Sequence, residues 1–144
     1  MSGGETSSDP IKGLPHGPPF RFLNAVHVIE ADRGEGTWVV DGEEDFLRGH
    51  FPGRPIVPGV LITESAAQLA GVVARARFSG VDASGMLVFS EARFKQPVVP
   101  PAEIQLEVHG DRVMGTIHTF DFTARVNSEV CAEGSVGLKM DAVP

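Results

Sequence analysis

The chain has 144 residues, of which 42% are apolar and 22% charged. That size and balance suit one folded globular domain rather than a disordered or fibrous chain. A formal charge of −7 argues against a general nucleic-acid binder, which needs a basic face toward phosphate. The single cysteine, Cys131, excludes an internal disulfide framework and a cysteine-based zinc site.

Residues 1–12 are polar, rich in Ser, Gly and acid, and read as a flexible N-terminal tail. They carry no basic segment followed by an apolar one, so no secretory signal is visible and a cytoplasmic location is the default expectation. No apolar run is long enough to suggest a membrane span. One domain is expected over residues 13–144. Leu14-Pro15-His16-Gly17-Pro18-Pro19-Phe20 holds too much proline for regular structure and predicts an ordered loop. Strands follow at 23–31 and 36–41, with turn chemistry at 31–34 between them, and then an acidic, glycine-containing connection at 41–53.

A long helix is predicted from about residue 59 to 78, announced by Pro58 and ended near Ser79 and Gly80. Val60, Leu61, Ile62, Ala66, Ala67, Leu69, Ala70, Val72, Val73 and Ala74 leave it almost no solvated face, so something large must wrap it. Residues 86–95, 102–110, 115–127 and 129–140 alternate apolar and polar side chains and read as strands, with Asn127-Ser128 as a tight hairpin turn. The expected class is α+β: a curled antiparallel β-sheet of about six strands around one long central helix.

Glu64 interrupts the apolar helix, where an unpartnered carboxylate is costly. At 3.6 residues per turn, Glu64, Gln68, Gly71 and Arg75 fall within about 60° of one another, a narrow stripe that is polar except at the glycine. Two readings stay open from these residues. Gln68 orients Glu64 in a purely structural pair, or Glu64 is an acid facing the His50 base across an apolar cavity.

The run Gly49-His50-Phe51-Pro52-Gly53-Arg54-Pro55-Ile56-Val57-Pro58-Gly59-Val60-Leu61-Ile62-Thr63-Glu64-Ser65-Ala66-Ala67-Gln68 closely resembles the signature of the FabZ-type β-hydroxyacyl-acyl carrier protein dehydratases. The resemblance extends to Leu14-Pro15-His16 with Pro19-Phe20, and to Ala92-Arg93-Phe94-Lys95-Gln96-Pro97-Val98-Val99-Pro100. It implies the hotdog fold and a homo-oligomer, either a dimer or a trimer of dimers, with His50 of one protomer and Glu64 of the other in each site. It further implies dehydration of a (3R)-3-hydroxyacyl thioester on acyl carrier protein to the trans-2-enoyl thioester, with His50 as base and Glu64 as acid and with no metal or cofactor. The Gly59 N–H, at the helix start, is expected to receive the charge that develops on the thioester oxygen. Glutamate rather than aspartate at position 64 resembles the branch that does not isomerise its product.

The chain departs from the family pattern in places. Gly17 and Pro18 stand where the family carries a basic residue and an aromatic one, Asn24 and Ala25 replace a frequent Asp-Arg pair, and there is no tyrosine to gate an acyl tunnel. Phe20, Phe22, Phe51 and Phe94 are the expected tunnel residues. Arg75, Arg93 and Lys95 are expected to dock the acidic carrier protein. His16 reads as a structural, hydrogen-bonded residue of the N-terminal loop, His27 as facing solvent or an interface, and Cys131 as a core residue. His109 and His118 lack supporting ligands for a metal. Two alternatives remain: a hotdog acyl-thioesterase, and a catalytically silent subunit that binds acyl carrier protein.

Overall fold

Apolar–polar alternation and short turns build most of the molecule. The computed structural model describes residues 14–79 and 81–143, so the tail expected at residues 1–12 lies outside the described residues, as does Gly80. In chain order come β1 (Ala25–Ile29), β2 (Arg33–Val40), a 3-10 turn at Asp45–Arg48, α1 (Gly59–Ala76), β3 (Asp82–Phe94), β4 (Ala102–Met114), β5 (Ile117–Val126) and β6 (Glu129–Val143). The strands form one antiparallel sheet in the order β1-β2-β4-β5-β6-β3. Register breaks at Val26/Val28, Leu87/Phe89, Gly110/Arg112 and Ala124/Arg125 add local twist. The curled sheet packs all six strands against α1. This is the expected hotdog architecture.

The core lies between sheet and helix. Ile62, Ala66, Leu69, Ala70, Val73 and Ala74 of α1 meet Val40, Ile104, Leu106, Val108, Phe120, Phe122 and Val136 of the sheet. Gly34 of β2 lets the helix come close, because a Cβ there would lie 2.5 Å from Val73 Cγ2. One stripe of α1 escapes the sheet: Glu64, Gly71 and Arg75 are only partly buried. The hairpin turn between β5 and β6 is at Asn127-Ser128, with φ of 52° and 70°, as expected of a two-residue turn whose twist matches its strands.

Several boundaries differ from expectation. β1 begins two residues late: Phe22 bonds to Gln68 and Ser65 of α1, and Asn24 N–H is the first to reach β2, at Thr37 O (2.7 Å). The connection expected at 41–53 contains the 3-10 turn, with Leu47 as its buried anchor. The helix stops at Ala76, where Arg77 turns away to bond Ala31, Asp32 and His118. β3 starts four residues early, and β4 runs four residues past Gly110 as an exposed hairpin arm with Val113 and Met114 in solvent.

Candidate active site

Gln68 is almost wholly buried, and every polar atom of its side chain is used. Its Oε1 accepts the Phe22 N–H (2.9 Å), while its Nε2 donates to Phe20 O (3.2 Å) and to Glu64 Oε2 (3.1 Å). The backbone N–H of Phe22 can only donate, so it fixes which end of the amide is oxygen and leaves the NH2 end to donate to Phe20 O and Glu64. Ser65 Oγ also donates to Phe22 O. These bonds strap the N-terminal loop onto α1.

With Oε2 of Glu64 held as an acceptor, a proton on this carboxyl belongs on Oε1. The carboxyl lines a cavity of about 270 Å³ together with Leu14, His16, Phe20, Arg75, Met86 and Leu138, among others. His16 Nε2 lies 3.7 Å from Glu64 Oε2, and its Nδ1 is buried with no partner among the described residues. The expectation that His16 is a satisfied structural histidine therefore does not fit: it faces the carboxyl. The Leu-Pro-His motif carried that signal, but nothing in spacing alone joins residue 16 to residue 64.

His50 sits in a second depression, of about 440 Å³, with Ile56, Gly59, Val60, Phe94, Lys95 and Val98 among its walls. Its Nδ1 lies 2.8 Å from Ile56 O, and its own carbonyl accepts the Ile56 N–H at 2.9 Å. A carbonyl only accepts, so the proton of a neutral His50 is on Nδ1 and Nε2 keeps a free lone pair. Pro58 O takes the Leu61 and Ile62 N–H groups, which leaves those of Gly59 and Val60 as free donors among the described residues. Glycine at position 59 lets the Phe94 ring lie close, since a Cβ there would stand 2.7 Å from it.

His50 and Glu64 thus line different depressions of one protomer. Phe20 borders the Glu64 cavity and Phe94 the His50 depression. Phe51 stacks on His50 with ring centroids 4.3 Å apart. Phe22 lines neither depression. It is buried against Trp38 at 5.3 Å and Phe46 at 6.4 Å, both edge-on. Of the three cations grouped for docking, Arg93 and Lys95 flank Glu133: Arg93 is its ladder partner, and Lys95 Nζ is 3.4 Å from its carboxylate. Arg75 lies apart from them, in the Glu64 cavity. His27 is exposed and bonds Thr37 at 2.8 Å; Cys131 is buried, which pushes its thiol pKa up. Among the described residues no three His, Cys, Asp or Glu side chains gather closely enough to hold a metal ion. No helix among them is long and apolar enough to cross a membrane.

The FabA-like domain family matches residues 14–135. A 3-hydroxyacyl-[acyl-carrier-protein] dehydratase FabZ of Granulibacter bethesdensis is 37% identical over 130 residues, covering 87% of this chain and 76% of its own. The FabZ of Rhizobium rhizogenes is 39% identical over 132 residues, covering 88% and 82%. Among solved structures, the dehydratase heterocomplex ApeI:P from Xenorhabdus doucetiae is similar in fold, with a TM-score of 0.73 at 18% identity over 89% of this chain and 88% of that one.

Proposed function

The chain belongs to the FabZ-type 3-hydroxyacyl-[acyl-carrier-protein] dehydratases of the FabA-like family, and from that premise we propose that it removes water from a (3R)-3-hydroxyacyl chain on acyl carrier protein, leaving the trans-2-enoyl thioester for fatty acid or related lipid or polyketide synthesis. The observation that carries this reading is the pair of prepared groups: an imidazole whose Nε2 is free to take a proton, and a carboxyl whose Oε1 is the oxygen free to give one.

The two groups meet across a homodimer. β3 is an edge strand of 13 residues, with Met86, Leu87, Val88 and Phe89 exposed in sequence on both faces. An edge so long and apolar needs a cover, and a second copy pairing with it by a two-fold axis supplies one. Antiparallel pairing sets the first half of β3 against the second half of its copy. The Glu64 cavity borders the first half, at Gly85, Met86 and Leu87, while the His50 depression borders the end, at Phe94. Twofold pairing therefore supports a site in which His50 of one protomer faces Glu64 of the other.

In that site His50 Nε2 takes the C2 proton as the C2–C3 double bond forms. The C3–O bond breaks, and Glu64 gives its proton to the departing hydroxyl, which leaves as water. His50 then returns a proton to Glu64. Charge on the thioester oxygen is met by the Gly59 N–H at the start of α1. Incubation with 3-hydroxyacyl carrier proteins, followed by mass spectrometry, tests the reading: loss of one water from the carrier-bound chain is expected. Release of free acid, or an unchanged substrate, overturns it.

A further inference from the structure

Arg75 takes no part in this chemistry, yet it lies on the same stripe of α1 as Glu64 and Gln68 and lines the same cavity. Burial pushes its guanidinium pKa down, and the Asp82 carboxylate acts against that. It makes no hydrogen bond or ion pair with the described residues. A half-buried guanidinium with five donors and no acceptor is an unusual wall for an apolar cavity.

The geometry gives the cavity two different ends. Eleven residues separate Glu64 from Arg75 (75 − 64), a rise of about 16 Å along the helix. Arg75 and Glu64 both line the cavity, so that rise runs along it. Between the two ends lie Ala67, Gly71, Met86, Leu87 and Leu138. An acyl chain with C3 at Glu64 therefore runs past apolar walls and arrives at a cation.

Resting on the dehydratase reading, we propose that this cavity selects acyl chains whose far end carries a carboxylate, which Arg75 receives. A methyl end reaching Arg75 would strip water from the guanidinium and return nothing. A carboxylate end would replace that water with two parallel charge-assisted hydrogen bonds. The same residue thus attracts one class of chain and repels the other. This sets Arg75 in the acyl cavity and leaves carrier docking to Arg93 and Lys95.

The test uses the homo-oligomer and two 3-hydroxyacyl thioesters of about ten carbons on a small pantetheine mimic, a length set by the helix rise less the arginine's own reach. One ends in methyl and the other in carboxylate. For the native chain, kcat/KM should favour the carboxylate end by ~10-fold or more, the usual strength of a charged hydrogen bond. Arg75→Met should abolish or invert that ratio, and Arg75→Lys should keep part of it. An equal ratio in the native chain and Arg75→Met, or a native preference for the methyl end, overturns the proposal. Should neither thioester lose water, the dehydratase reading fails, and calorimetric binding of the same two compounds decides this one. Tighter binding of the carboxylate compound, lost in Arg75→Met, supports it; equal binding or none overturns it.

Discussion

Gln68 links the N-terminal loop to the acid. Three bonds from one amide hold Phe20, Phe22 and Glu64 at once, so the orientation of Glu64 depends on the loop being in place. His50→Ala and Glu64→Gln each remove one end of the proposed proton path, and each should cut dehydration by ~100-fold or more with an unchanged melting curve. Near-native turnover in either variant would dismiss its role. Much at this scale was legible: a carboxylate in an apolar helix, an amide one turn on, and a histidine braced by Gly and Pro are local patterns. Phe22 was not legible as a core residue, because its edge-on contacts with Trp38 and Phe46 join parts of the chain far apart in sequence. The place of Arg75 was hidden for a related reason: charge alone groups it with Arg93 and Lys95, and only the folded chain sets it in the Glu64 cavity.

The elements repeat this division. Period and turn chemistry located the helix and all six strands, but they do not say which strand is an edge or where an exposed arm ends. β3 carries four apolar residues in a row, Met86 to Phe89, and yet buries almost nothing. Val88→Lys sets a charge in the middle of its apolar row and should give a folded monomer with little activity, as read by sedimentation; a dimeric, active variant would count against the β3 interface. The end of α1 is stapled by Arg77, which donates to Ala31 O (2.8 Å), Asp32 Oδ1 (3.2 Å) and His118 Nδ1 (2.8 Å) while lying over the Phe120 ring at 4.9 Å. His118 must be neutral to accept that bond, and burial, followed by the Arg77 charge, holds its pKa below the ordinary 6.5. The unfolded chain therefore takes up this proton first. The stabilisation is complete above the unfolded value and is lost as pH falls below it toward the folded one. From about pH 7.5 to about 5.5 the native chain should lose more Tm than His118→Gln, and equal slopes would show that the staple does not titrate.

At the scale of the whole molecule, the proposed shared site would make activity a property of the pair. His50→Ala and Glu64→Gln protomers, each inactive alone, should regain part of the native rate when mixed, because one hybrid site is intact. No recovery despite proven subunit exchange would contradict sharing. A chain of charge −7 repels an acidic carrier on average, so docking of one would need a local cation; Lys95 and Arg93 stand beside Glu133, and Lys95 lines the His50 depression. Reversing both charges should raise KM for carrier-borne substrate and flatten its salt dependence, with a far smaller effect on a small thioester. Equal losses on both substrates would remove these two residues from docking. The Phe22–Trp38 contact has a consequence for optics. With one tryptophan and no tyrosine, the near-ultraviolet emission of the entire chain comes from Trp38, whose ring rests on Phe22, whose own N–H is bonded to Gln68. The natural sequence thus carries an intrinsic fluorophore one residue from the strap that holds the acid, and an unlabelled titration reads that neighbourhood alone.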